Sequence, residues 1–322
     1  SEVRAERGGR EYQFDLSRIE SDGKVIGAVL LLLMIVGSVW DLPISKVLYP
    51  GRESSFGQFF AAFGELPAFL AMTSAGILLF FNRKRLRKSW NVLFLAASAV
   101  LVAGGIVLSI HEARDNVPAM PLWVAALVTV FAAALAGFLL LLGTEGCQTK
   151  TILRFILVLA FISIGMMIVI NVIKIPWGRP RMRLLLATGN ESYFQPWWKL
   201  GGSLKAKLIA EGVASDEFRS FPSGHTGCAA CAMLAILLPT VCKRLRCKER
   251  LCLIVGAVWT AVVAFSRLMM GAHFLTDVTA ATAITLGIAW LGIWLCYFNG
   301  KFFRLVWGLV SEPASNNKNS ET

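Results

Sequence analysis

Eight separate apolar runs, each near the length that crosses a bilayer, dominate this sequence. About 30 Å of hydrocarbon takes a helix of about 20 residues. Such runs fall at about 24–41, 58–82, 92–111, 121–143, 151–173, 225–242, 251–268 and 277–298. The expected fold is all-α: a polytopic membrane helix bundle of about eight transmembrane helices. Composition agrees, since 56% of the 322 residues are hydrophobic and only 16% are charged. A soluble domain carries about a quarter charged residues. The first run is short and could be a signal peptide. The long, acid-containing segment before it, and the lack of a small-x-small cleavage pattern after it, make it a span instead.

Basic residues in short loops set the orientation. Arg83, Lys84, Arg85, Arg87 and Lys88 fill the second loop, and Lys243, Arg244, Arg246, Lys248 and Arg250 fill the sixth. Loops one and three hold only Lys46, Arg52 and Arg114. Eight spans with both termini cytoplasmic satisfy this pattern. The net charge of +12 is then mostly a topology signal, and its clusters sit in tight turns where they meet lipid head groups. No nucleic-acid partner is indicated. A bacterial inner membrane, with outward chemistry on the periplasmic or external face, fits best.

The expected organisation is a cytoplasmic arm at 1–23, N-terminal spans over 24–111, a transmembrane core over 112–310 and a disordered tail at 311–322. The one long connection, about 175–221, faces outside. Its Tyr193, Phe194, Trp197 and Trp198 beside Lys199 suit the lipid–water boundary, as an anchor or as a substrate entry. Seven cysteines fall in spans or on the cytoplasmic side, so no structural disulfide is expected. Cys228 and Cys231 form a C-x-x-C inside an apolar helix and read as small packing residues.

Polar chemistry gathers in three places, all at outward span ends. The first is Lys174-Ile-Pro-Trp-Gly-Arg179-Pro-Arg181. The second is Phe221-Pro222-Ser223-Gly224-His225. The third is Ser266-Arg267-x5-His273-x3-Asp277. The chain has three histidines, and two of them lie in these clusters. Ionisable groups near hydrocarbon are costly and are generally kept for a function. Two imidazoles among Lys174, Arg179, Arg181 and Arg267 describe a site for an anion, and arginine's fork suits phosphate. Pro222 near a helix start leaves Ser223 and Gly224 to present N–H groups to an anion. His273 and Asp277, four apart, share a helix face, so the carboxylate can hold one ring nitrogen while the other attacks. His225 is then available as the acid.

On these motifs the chain resembles the type 2 phosphatidic-acid phosphatase superfamily, which shares an active site with vanadium haloperoxidases. The family pattern is K-x6-R-P, then P-S-G-H, then S-R-x5-H-x3-D. The second and third motifs are complete at Pro222–His225 and Ser266–Asp277. The first departs from it. Six residues on from Lys174 comes Arg181, but Met182 stands where proline is expected, and Arg179-Pro180 offers a competing register. Arg181 keeps the spacing and is the preferred phosphate ligand.

The resemblance implies a six-helix phosphatase core, with the first two spans as additions. It implies that His273 attacks phosphorus, that Asp277 orients it, and that His225 protonates the leaving group. It also implies that Lys174, Arg181, Ser223, Gly224 and Arg267 bind the phosphoryl oxygens, with no metal and no cofactor.

The expected function is thus a lipid phosphate or diphosphate phosphohydrolase working through a phosphohistidine. Alternatives are transfer of phosphate to another lipid or a sugar, hydrolysis of a soluble sugar phosphate, and a non-enzymatic transporter or lipid-binding protein. Outside the three clusters, His111 reads as an interfacial histidine. Glu65, just before Pro67, reads as an interfacial acid at a span start.

Overall fold

A computed structural model describes residues 16–49, 51 and 54–312. The expected N-terminal arm lies mostly, and the C-terminal tail almost wholly, outside them. The described residues form helices and turns, and no strand. Eight helical stretches are long and apolar enough to cross a membrane: Ser21–Leu48, Ser55–Arg85, Lys88–Asn116, Leu122–Gly143, Thr149–Thr188, Gly224–Val241, Glu249–Met269 and Leu275–Phe298. They coincide with the eight apolar runs. The chain is a polytopic helical bundle and an integral membrane protein.

Helix α1 (Leu16–Leu48) is kinked where Trp40 leaves helical geometry, three residues before Pro43. Proline removes a backbone donor and clashes with the preceding turn, which breaks a helix locally. The kink turns Asp41 inward, and it is only 4% exposed. Gly37, one turn earlier, lets α1 approach closely, because a Cβ there would lie 2.7 Å from the Thr276 methyl.

The second span is two helices, α2 (Ser55–Phe63) and α3 (Leu66–Asn82). Ser54 caps α2 by accepting from the Gly57 N–H at 2.9 Å. Pro67 sits in the first turn of α3, where its missing N–H costs nothing. The break leaves Gly64 and Glu65 between them, inside the protein. Helices α4 (Asn91–Asn116) and α5 (Leu122–Gly143) flank α3.

The core is built from α3, α6 (Thr149–Trp177), the sixth span and α12 (Leu275–Ile293). Ala68, Ala75, Phe155, Ile162, Leu234 and Ala281 meet there, all buried. The second span is therefore central to the bundle. Small residues set the close contacts, as is usual for helices packed in lipid. A Cβ on Gly256 of α11 (Glu249–Met269) would lie 2.5 Å from the Ala232 carbonyl in the sixth span. The sixth span itself is α9 (Gly224–Ala230), a 3-10 stretch (Cys231–Leu237) and a short α10 (Leu238–Val241).

The long connection carries α7 (Met182–Thr188) and α8 (Gly202–Ala210). A last helix, α13 (Gly300–Val310), follows the eighth span. It buries Phe303 and exposes Phe302, Leu305 and Leu309, the pattern of a helix lying along an apolar surface.

Candidate active site

Three chain reversals bring the polar clusters together. Lys174 ends α6, which stops because Gly178 adopts left-handed geometry (φ 55°). Arg179 and Arg181 follow, and Arg181 leads into α7. The segment Phe221–Ser223 opens the sixth span, with Ser223 capping α9. Its hydroxyl accepts from the Thr226 N–H at 3.3 Å, and its own N–H donates to the Asp277 carbonyl at 3.1 Å. The third cluster spans the turn from α11 to α12. Phe274 caps α12, and Asp277 in the first turn accepts the Phe274 N–H at 2.7 Å. The three-residue spacing between His273 and Asp277 thus has a local cause. The helix that Asp277 caps begins right after the histidine.

Lys174, Arg181, Gly224, His225 and His273 line one cavity of about 190 Å³. Its mouth carries Asp115 and Asn116 from α4, Asn171 from α6, and Asp216 and Arg219 from the long connection. The volume is below the roughly 300–1,000 Å³ of pockets that enclose drug-sized ligands, so it suits a head group rather than a whole lipid. Arg179, Ser223, Arg267 and Asp277 are buried outside this lining.

The His273 ring is held by Ser220. Its Nδ1 lies 2.6 Å from the Ser220 carbonyl oxygen, which can only accept, so Nδ1 carries the hydrogen. The Nε2 lone pair is then left for other chemistry. Asp277 Oδ2 is 3.8 Å from the same Nδ1, too far for a hydrogen bond. The carboxylate is instead saturated by the Ser220 hydroxyl at 2.5 Å, the Phe274 N–H at 2.7 Å and the Arg179 guanidinium at 2.5 Å. It orients His273 through Ser220 more than by direct contact. Burial pushes the His273 imidazole down to about 4. The Asp277 carboxylate opposes this, while the cations of Arg181 and Lys174 add to it. The ring is neutral at physiological pH.

The two competing arginines have different surroundings. Arg179 is fully buried and committed. It donates to Asp277 at 2.5 Å, Asp41 at 2.9 Å, Thr276 at 2.9 Å and the Gln195 carbonyl at 2.7 Å. The Phe274 ring lies 4.3 Å beneath it. Arg181 reaches the cavity wall, where it pairs with Asp216 at 2.6 and 3.2 Å. The register that keeps the lysine spacing is the one that places an arginine at the cavity.

Two acids that the motifs did not single out complete the surroundings. Asp41, from the kink in α1, accepts from Arg179 and from the Thr276 N–H at 3.0 Å, and pairs with the Thr276 hydroxyl. Glu65 faces the protein interior. It is 7% exposed, lines the cavity and lies 3.2 Å from His225 Nδ1. The helix before it also reaches inward: the Ala61 carbonyl meets His225 Nε2 at 3.0 Å, and the Gly57 carbonyl accepts from Arg267 at 2.7 Å. A signal for both acids was present in the sequence. Each is a lone carboxylate two residues before a proline, Asp41 at the end of one apolar run and Glu65 inside the next.

The aromatic residues of the long connection split between two roles. Trp198 is 58% exposed, as an interfacial anchor would be. Phe194 packs edge-on against Phe274, and Trp197 stacks on Phe221 and donates to the Ser38 hydroxyl at 2.8 Å. Trp197 thus clamps the segment that precedes Ser223, and Phe194 the residue that caps α12.

In comparison with known protein families, residues 151–301, just under half of the chain, match the model described as the PAP2 superfamily. Neither a curated protein nor a solved structure matches the chain.

Proposed function

We propose that this membrane protein, whose residues 151–301 match the PAP2 superfamily of phosphohydrolases, removes phosphate from a lipid phosphate or diphosphate through a phosphohistidine. The observation that carries the reading is the cavity itself, where His273, His225, Lys174 and Arg181 open on one space at the ends of membrane spans.

The steps follow from the geometry. His273 Nε2 attacks phosphorus, forming an N–P bond as the bond to the leaving oxygen breaks. The Ser220 carbonyl holds the attacking tautomer, and Asp277 steadies Ser220. Lys174 and Arg181 stabilise charge on the phosphoryl oxygens, with the Gly224 backbone beside them. Arg267 and Ser223, expected to bind these oxygens, are instead bonded within the wall behind the cavity, to the Gly57 carbonyl and to Thr226 and Asp277, and Arg179 holds Asp277 in place. A proton from the His225 side reaches the leaving oxygen. Water then cleaves the N–P bond, giving inorganic phosphate and returning His273.

A lipid substrate is supported by what borders the mouth. Asn171 lines it, and Ile168 and Ile175 share its helix face at three and four residues' distance. Both isoleucines are exposed, at 57% and 73%. A lipid could present its head group at the cavity while its tails remain beside α6. The basic clusters at 83–88 and 243–250 lie at the opposite ends of the spans from the site. By the positive-inside rule, this supports the reading with both termini in the cytoplasm and the site on the outer face.

The test is a phosphate-release screen of the purified protein over phosphatidic acid, phosphatidylglycerol phosphate, polyprenyl diphosphate and a soluble sugar phosphate. Release from one or more lipids, lost in a folded His273→Ala variant, is expected. Full activity in that variant, or turnover of the sugar phosphate alone, would overturn the reading.

A further inference from the structure

We propose that Glu65 shares the leaving-group proton with His225, so that the acid of the reaction is a carboxyl–imidazole pair. The inference rests on the phosphohydrolase reading above. It concerns a residue outside the segment that matches the family, so the family pattern does not supply it.

The main-chain carbonyl of Ala61 fixes the arrangement. It can only accept a hydrogen bond, so His225 Nε2, 3.0 Å away, carries a hydrogen. That nitrogen points away from duty as a free donor. The remaining nitrogen, Nδ1, faces Glu65 Oε1 at 3.2 Å. A hydrogen bond between them needs one proton, resting either on the carboxyl or on the ring. Glu65 lines the cavity, as does His225. Both lie by Gly224, where a Cβ would meet Lys174 Nζ at 3.2 Å and Glu65 Oε1 at 3.8 Å. The shared proton therefore sits beside the cation that would hold a phosphoryl oxygen. Other charged or titratable groups around the pair are Glu112 from α4, Cys228 from α9, Arg267 from α11, and His273.

The proton balance is simple. When His273 takes the phosphoryl group, the P–O bond electrons go to the leaving oxygen, which takes the proton of the Glu65–His225 bond. The pair is left as carboxylate and neutral ring, with the hydrogen on Nε2 still donated to the Ala61 carbonyl. When water attacks the phosphohistidine, its proton returns to the pair. Glu65 is thus a positioning and proton-sharing residue, and the α2–α3 break exists at the depth where it can act.

The experiment compares leaving groups. An alkyl phosphate needs its oxygen protonated, whereas p-nitrophenyl phosphate leaves without help. Glu65→Gln keeps the shape but cannot share the proton. Its rate of phosphoenzyme formation from an alkyl lipid phosphate, read in the first turnover before the shared hydrolysis step, is expected to fall roughly 100-fold, within the usual range for general acid catalysis. First-turnover release of p-nitrophenolate from p-nitrophenyl phosphate is expected to stay within a few fold of wild type. Glu65→Asp should recover part of the alkyl activity. Equal losses on both substrates would assign Glu65 a structural role, and no loss on either would remove it from the reaction; each overturns the proposal. If neither variant folds, wild-type phosphoenzyme formation across esters of graded leaving-group acidity decides. A near-flat dependence is expected, and a steep one overturns the pair as acid. The phosphohydrolase reading fails separately, by absent wild-type turnover or by full activity in His273→Ala.

Discussion

The main-chain carbonyl of Ser220 lies 2.6 Å from His273 Nδ1, while the Ser220 hydroxyl lies 2.5 Å from Asp277. One residue connects the proposed nucleophile to the carboxylate four positions after it. Ser220→Ala removes the hydroxyl and leaves the carbonyl. Asp277 keeps its bonds to Arg179 and the Phe274 N–H, so the fold should survive. The expected effect is a roughly tenfold fall in kcat with KM little changed, equal to about 1.4 kcal/mol at the transition state. Steady-state kinetics on the preferred lipid checks this, and an unchanged kcat would show that Asp277 acts without Ser220.

The acid side of the rate profile should reflect the buried His273. Its folded value is lowered to about 4 from an ordinary 6.5, chiefly by burial. The neutral, attacking ring then persists as pH falls through 6.5 and is lost only near 4. Unfolded chains bind this proton below about 6.5, so stability contributed by the neutral ring also declines from there downward. Phosphoenzyme formation, corrected for substrate ionisation, should keep its nucleophile well below pH 6.5. An acid limb centred at 6.5 would contradict the buried, Ser220-bound ring.

Arg179 and Arg181 should separate cleanly by variant. Arg179→Ala leaves Asp41 and Asp277 buried beside no cation, at a cost of about 3–5 kcal/mol. A large fall in thermal unfolding temperature in detergent is expected, with activity lost alongside. Arg181→Ala should unfold near the wild-type temperature, bind orthovanadate more weakly and raise KM. The reverse pattern would make Arg179 the phosphate ligand.

Packing at Gly256 should be intolerant of even one carbon. An added Cβ would fall 2.5 Å from the Ala232 carbonyl, in backbone that has little room to move. Gly256→Ala is expected to cost about 1–3 kcal/mol. Its unfolding temperature, compared with that of Gly287→Ala on the neighbouring span, where a Cβ meets nothing within 4 Å, gives the contrast.

Much of this molecule was legible in its sequence because hydrocarbon thickness imposes a length on every span. The eight runs and the eight helices coincide for that reason. The three motif clusters were legible because each sits at a helix end, where capping fixes spacing, as with Phe274 and Asp277. What stayed hidden was partnership over long separations. Nothing near Glu65 in the chain announces His225, 160 positions away. The same holds for Asp41, whose partners are Arg179 and Thr276. Pro67 marked a helix start after Glu65, but the separate helix α2 before it stayed hidden inside one apolar run. The first two spans looked like additions, yet they hold the site from two sides.

Asp41 and Thr276 are 235 positions apart and bonded directly. A ribosome delivers the spans to the membrane in order, so Asp41 is inserted long before its partners exist. Its guanidinium partner, Arg179, arrives only after the fifth span, and its hydroxyl partner, Thr276, only with the eighth. Chains interrupted before Arg179 would carry an unpaired carboxylate, a mark by which membrane quality control could distinguish them from finished protein.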